Sequence, residues 1–267
     1  MRSKKWPTVL LTLLGISILI PLVLLILWAF TARWPWPHLL PKKYSLRTIR
    51  ELLFGHANLP KLLLSSFLLS SLVAILTTII SAMAARALLV YNIPAKKLIT
   101  GFALLPLIIP SVVFTMGFQF IMLKMNWGDS IQAVVLSHIL IALPYSFSVM
   151  RDISESVGTK LEEQAAVLSA RPWRAFIDVT LPLLMPGVFS SLSLAFTMSY
   201  SQYFTTLIVG GGRVQTLSLI LIPYIQSGDR SLASIYSLAF ILSALLVFFL
   251  LEFLYARSQQ KGPSHAS

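Results

Sequence analysis

The chain has 267 residues, of which 57% are hydrophobic and 11% charged, with a net charge of +12 and a mean hydropathy of +0.82. A soluble domain carries about 25% charged residues, so this composition excludes one and points to a chain that meets lipid over much of its length. The absence of cysteine excludes a disulfide framework, a thiolate metal site and a cysteine nucleophile.

The positive charge does not indicate nucleic acid, because lysine and arginine sit between long apolar runs, where they meet membrane lipid head groups and set topology. The first run, Val9 to Phe30, follows Arg2, Lys4 and Lys5. It is longer than the roughly 7 to 15 residues of a signal-peptide core and reaches the roughly 20 needed to span, which predicts an uncleaved helix with a cytoplasmic amino terminus. Residues 32 to 60 mix prolines, tryptophans and basic residues and suit an external loop, with Trp34 and Trp36 as interfacial anchors. Further apolar runs follow at Leu62 to Ala84, Leu98 to Leu123, Ile131 to Met150, Leu183 to Val209 and Leu232 to Leu251. The fold class is therefore all-α: a polytopic membrane protein with six transmembrane helices, forming one domain over residues 1 to 267. Val214 to Ile225 is apolar but too short to span and contains Pro223, which predicts an outer-side helix or a re-entrant segment.

An even number of spans returns the carboxyl terminus to the side of the amino terminus. That side then holds Arg86, Lys96 and Lys97 between the second and third runs, and the loop from residue 151 to 182. Most basic residues of the opposite side lie in the long first loop, where they orient the chain less strongly than those in short loops.

The stretch from Thr159 to Pro186 is neither span nor simple connector. Thr159 followed by Glu162 has the capping-box pattern, in which the hydroxyl accepts from the Glu162 amide and the carboxylate reaches back to the Thr159 amide. Leu161, Ala165 and Leu168 form a narrow apolar stripe that can rest on a protein surface, while Glu162, Glu163 and Gln164 lie off it. Pro172 disfavours helical angles at Arg171 and suits the first position of a new helix, which places a break near Ser169 to Arg171. Trp173, Phe176 and Ile177 give the second helix its own stripe, and Pro182 punctuates it. The pattern predicts two short helices that meet at an angle beside the membrane.

The run Glu163-Gln164-Ala165, then Ser169-Ala170, Pro172-Trp173, Phe176, Val179 and Leu181-Pro182, resembles the EAA loop of bacterial ABC importer permeases. Gln164 stands where that family prefers alanine and Ser169 where it prefers glycine. The stretch from Ser201 to Gly212 with Gln215-Thr216-Leu217 looks most like the polyamine, iron and thiamine branches. The resemblance implies a cytoplasmic loop whose first helix docks in a groove of a separate ATPase subunit. Its coupling residues would be Glu162, Glu163, Ala165, Ala166, Leu168, Ser169, Trp173, Phe176, Leu181 and Pro182. It also implies two cytoplasmic ATPase subunits, a second permease subunit, identical or homologous, and an external substrate-binding protein. The chain would lie in the bacterial inner membrane and pass a small solute such as a polyamine, ferric ion or thiamine.

The residues themselves exclude much else. Apart from His138, the runs contain no acidic or basic side chain, whereas an ion-driven carrier working alone needs such groups at membrane depth. That counts against the main alternative, a stand-alone secondary carrier or channel, and a third reading is a non-transporting membrane scaffold. His138 fits a hydrogen bond between helices. No Walker-type lysine follows Gly210-Gly211-Gly212, and there is no HExxH or GxSxG. The chain is expected to be no enzyme, to have no catalytic residue, metal or cofactor of its own, and to leave ATP to a partner. Pro106, Pro110 and Pro144 predict helix breaks at membrane depth that can serve as hinges. Ser199, Ser201, Gln202 and Tyr203 are the polar candidates for lining a translocation path.

The topology is testable because the chain has no cysteine of its own. With Ser169→Cys, Ser258→Cys and Gly212→Cys made singly, an impermeant thiol reagent on intact cells is expected to label only Gly212→Cys. Labelling of Ser169→Cys with Gly212→Cys left unlabelled reverses the orientation.

Overall fold

The computed structural model describes residues 5–34, 41–54 and 58–260. Two compact units are distinguished, Met1–Leu63 with Thr216–Ser243, and Leu64–Gln215 with Ala244–Ser267. Trp36 lies outside the described residues.

In the first unit, α1 (Lys5–Ala29) is apolar around its circumference and exposes most of its described side chains, as a helix does when lipid rather than protein surrounds it. A short antiparallel pair follows, β1 (Thr31–Arg33) with β2 (Lys43–Tyr44), and then α2 (Arg47–Phe54). The pair closes back on the end of α1: the Ser45 amide donates to the Phe30 carbonyl at 2.9 Å, and the Thr48 hydroxyl to that of Ala29. Trp34 stands edge-on to Trp28, 6.2 Å between ring centres. The segment Val214 to Ile225 forms α11 (Leu217–Ser227), an 11-residue helix too short to span, which agrees with the expected outer or re-entrant segment rather than a full crossing.

The second unit holds most of α3 (Leu59–Val90), then α4 (Lys96–Ile108), α5 (Ser111–Lys124), α6 (Ile131–Val157), α7 (Lys160–Val167), α8 (Pro172–Ala175), a π-helical turn (Phe176–Thr180), α9 (Leu181–Tyr200) and α10 (Phe204–Gly210). The long α12 (Arg230–Gln260) begins in the first unit and ends in the second. Among the described residues, five helices are long and apolar enough to cross a membrane, and a sixth crossing is made if the bent pair of α4 and α5 counts as one.

The break expected at Pro110 is present, since α4 and α5 are bent by 109° relative to one another. Pro110 excludes helical angles at Ile109, which is extended at φ −79° and ψ 129°, and α5 starts directly after the proline. Pro106 and Pro144 were expected to break helices as well and do not. Pro106 sits inside α4 and Pro144 inside the 27-residue α6. The fifth run is also divided, because α9 ends at Tyr200 and α10 begins at Phe204.

Buried hydroxyls join the helices of the second unit. Ser191 on α9 bonds both to Thr78 on α3, at 3.0 Å, and to Ser146 on α6. In a bilayer such bonds replace the water that these groups would otherwise find. Apolar packing completes the core, with Leu69, Phe118, Met122, Val134 and Val209 in one cluster and Ala85, Leu88, Phe147 and Met150 in another. The most extensive packing is between α6 and α9. At its closest point a β-carbon on Gly187 would lie 2.8 Å from Ile153 Cγ2. Gly187→Val is therefore expected to force these helices apart, at a cost of about 1–3 kcal/mol. A lower thermal midpoint of the detergent-purified protein checks this, and an unchanged midpoint means that the helices can slide to accept the added volume.

Candidate functional site

The candidate site has two parts, the elbow formed by α7 and α8 and the break between α9 and α10. The elbow forms where the sequence places it. α7 ends at Val167, Ser169 takes φ +63°, Arg171 is extended, and Pro172 opens α8. The amide of Ala170 donates to the Ala165 carbonyl at 3.0 Å and that of Ser169 to the Ala166 carbonyl at 2.9 Å. This pair of bonds is a Schellman cap with Ser169 at the left-handed position that glycine normally fills. The conformation the family's glycine would serve is thus kept, and serine holds it against a steric penalty.

Other expectations for the loop are corrected. The capping box does not form. Thr159 has near-helical angles and makes no cap bond to the Glu162 amide, and its hydroxyl donates instead to Glu163 Oε1 at 2.7 Å. Glu162 is turned away from the helix end because better partners lie beside it. Arg86 Nη2 donates to Glu162 Oε2 at 2.6 Å, the Thr180 hydroxyl donates to Oε1 at 2.5 Å, and Arg86 Nη1 donates to the Gly158 carbonyl at 3.0 Å. A guanidinium meeting a carboxylate outcompetes a backbone amide for it.

The apolar stripe also divides. Ala165 is half-buried against the chain, while Leu168 is 82% exposed, beside Val167 at 85%, and Leu161 is exposed too. Ala166 and Glu163 are exposed as well. The face that α7 shows to its own chain is thus Glu162 and Ala165, and its apolar residues point away. Trp173, Phe176 and Ile177 are likewise exposed, and the inward face of the second helix is Ala175, Thr180 and Leu184. Nor is that helix short. Pro182 does not end it, because the π-helical turn before it widens the helix, with the Leu181 amide donating to the Phe176 carbonyl, and one span runs from Pro172 to Tyr200. A cleft of about 540 Å³ lies in the crook of the elbow, between Ala165 and Ser169 on one side and Arg171, Arg174 and Asp178 on the other.

The sequence places Arg86 between the second and third apolar runs, but Ala85, Ala87, Leu88 and Leu89 around it favour helix and carry α3 on to Val90. It is nine-tenths buried there. An arginine embedded in good helix formers just beyond an apolar run is the signal that pointed to it.

The second part is centred on His138, which is buried on α6 and bonds on both sides, through Nδ1 to Ser199 Oγ at 2.9 Å and through Nε2 to Thr206 Oγ1 at 3.0 Å. Ser199 belongs to α9 and Thr206 to α10, so one imidazole pins the two sides of the break. The Thr206 hydroxyl donates to the Gln202 carbonyl at 2.8 Å, so it must accept from the ring. The proton therefore sits on Nε2, and Nδ1 accepts from Ser199. The bond between helices expected of this histidine is present, and it spans three helices. Of the polar path candidates, Ser199 is buried in this pin, Ser201 is exposed, and Gln202 and Tyr203 are half-buried within the break. Thr115 of α5 and Thr205 of α10 join beside it at 3.0 Å.

Apolar crossings interrupted along their length, an interior joined by polar pins, and a surface elbow with an outward apolar face fit a membrane transport component. Residues 75–261 match the profile of the binding-protein-dependent transport system inner membrane component family, and the chain belongs to that family. A molybdenum transport system permease protein of Haemophilus influenzae is 33% identical over 188 residues, 64% of this chain and 82% of the relative. A putative 2-aminoethylphosphonate transport system permease protein of Salmonella typhimurium is 25% identical over 228 residues, 85% of each chain. The fold matches that of a bacterial ABC transporter involved in the import of the acidic polysaccharide alginate, with a TM-score of 0.68 at 15% identity, covering 96% of this chain and 99% of that one. The chain is a permease of a bacterial ABC importer, not an enzyme, and a multi-pass inner-membrane protein.

The cap at Ser169 yields a test. Ser169→Gly removes a left-handed penalty of about 1 kcal/mol and gives part of that back through the freer unfolded chain. A net gain of about 0.5 kcal/mol is expected, read as a higher thermal midpoint in detergent, and a lower midpoint would mean that the serine side chain stabilises the turn.

Proposed function

We propose that this permease couples to two cytoplasmic ATPase subunits through α7 and α8, pairs with a second permease subunit, identical or homologous, and receives its solute from an external binding protein. The observation that carries the reading is the outward apolar face of α7, with Val167 and Leu168 exposed on a helix whose other face is anchored by Glu162 and Ala165. Water does not favour such a patch, and a groove on another protein that covers it removes the exposed area. Glu163, on the first turn, complements the positive end of the helix dipole and meets a basic group on the partner. Both termini and the elbow then lie in the cytoplasm, in keeping with the basic residues of the short loops. ATP is bound by the partner and not by this chain.

The path runs beside the break at Ser201 to Tyr203, and the bend at Pro110 is its counterpart in the third crossing. ATP-driven closure of the ATPases moves the elbow, and with it α9, which continues from α8 through the π-helical turn. The relatives named for molybdenum and for 2-aminoethylphosphonate favour a small oxyanion over a polyamine, ferric ion or thiamine. With no charged side chain in the apolar runs to hold such a solute, selection rests mainly with the binding protein.

Val167→Asp and Leu168→Asp place a charge in the docked face and are expected to weaken ATPase binding about thirtyfold, the equivalent of about 2 kcal/mol. Glu163→Lys acts in the same direction. The measurement is co-purification of the ATPase with each variant at equal membrane level. Full retention in all three would assign the elbow to the lipid interface, without a protein partner.

A further inference from the structure

The residue that joins α7 to the membrane helices is not on its docking face. Glu162 lies in the first turn of α7, and both of its carboxylate oxygens are occupied. One accepts from Arg86, near the end of α3, and the other from Thr180, at the end of the π-helical turn that leads into α9. Arg86 also holds the carbonyl of Gly158, the residue that ends α6 at φ +67°. One carboxylate and one guanidinium thus connect α7 with the ends of α3, α6 and α9. Among the described residues there are two ion pairs. The other, Arg151 with Glu155, joins neighbouring turns of a single helix and links no elements.

The pair lines a cleft of about 380 Å³, whose walls also include Met83 and Val90 of α3, Tyr91 just beyond it, Phe176 and Leu184. Glu162 is the residue of α7 that lines this cleft, and its ion pair with Arg86 is the charged link between α7 and α3. Such a contact transmits force when pushed or pulled, whereas loose apolar surfaces slide. A partly buried pair is also costly to open, because each charge would be left without its partner.

We propose that Glu162 and Arg86 are the positioning pair that transmits the movement of α7 to α3 and α9, as distinct from the exposed Glu163 and the apolar face that hold the ATPase. The proposal rests on the docking reading above, and the two separate experimentally. Glu162→Gln keeps the shape and hydrogen-bonding capacity of the side chain but removes its charge, and Arg86→Gln removes the guanidinium. Because the two residues act as a unit, the double variant loses no more than either single one.

The test uses the full chain co-expressed with its ATPase. Thr197→Cys, at an exposed position on α9 one turn before the break, serves as a reporter in a chain free of other cysteines. Its rate of labelling by a maleimide is measured in purified complexes with and without Mg-ATP and vanadate. With Glu162 and Arg86 intact, the nucleotide is expected to change that rate by about fivefold or more, the usual scale of coupling between distant sites. Glu162→Gln, Arg86→Gln and the double variant are expected to retain the ATPase and its hydrolysis of ATP while this change falls to near unity, and Arg86→Lys restores part of it. A merely structural pair would lower the thermal midpoint and leave the nucleotide response in place, which overturns the proposal. Loss of the ATPase from Glu162→Gln complexes would make Glu162 a docking residue, which overturns the proposal and leaves the docking reading standing. Failure of the unaltered chain to retain the ATPase overturns both.

Discussion

A polar group inside a bilayer has no water to turn to, and the arrangement of this permease follows from that constraint. Many interior hydroxyls therefore find a partner within the protein, although those of Thr77, Ser81, Ser154 and Tyr236 are buried without one. Ser191 meets Thr78 and Ser146, Thr115 meets Thr205, and His138 meets Ser199 and Thr206. Whereas other hydroxyls, such as that of Ser137 on the Val134 carbonyl, bond back within their own helix, these contacts lie between helices. They convert a set of apolar rods, which lipid would solvate about as well as protein does, into one specific packing. The apolar surfaces alone would not choose it.

The same constraint explains why the interior can be both polar and uncharged. Hydroxyls and a single-tautomer imidazole satisfy one another, whereas a lone carboxylate or ammonium at that depth costs at least about 2.5–3.5 kcal/mol. Charge is kept to the helix ends, and there Arg86 and Glu162 bind each other. The family assignment gives this distribution its meaning, because a permease driven by a partner needs no proton relay in its own spans.

The elbow divides one short helix between two tasks. Its inward face, Glu162 and Ala165, fastens it to the chain, and its outward face, Leu161, Val167 and Leu168, is exposed, as the docking proposed above requires. Eight residues suffice because the Schellman turn at Ser169 stops the helix sharply and Pro172 restarts the chain at once. The π-helical turn then lets Pro182 pass within a continuous helix, so the elbow and α9 form one span, Pro172 to Tyr200, as the coupling proposed above requires.

Much of this was legible in the sequence. Composition and apolar run lengths determined the class of protein and the number of crossings, since about 20 apolar residues have few other uses. Pro172 and the residues around Ser169 located the elbow, and the spacing from Glu163 to Pro182 carried the family resemblance. These are local signals, set by the preferences of a residue and its near neighbours. The tertiary structure decided which prolines break a helix. Pro110 does so, with Ile109 extended before it, while Pro106 and Pro144 lie inside continuous helices, the latter buried in the packed α6. It also decided which way α7 faces. Leu161 and Leu168 have the spacing of a buried stripe, yet they are exposed because Arg86, some 76 residues earlier in the chain, draws the other face inward. A capping box and a salt bridge compete for the same carboxylate, and only the approach of a distant helix settles which of them forms.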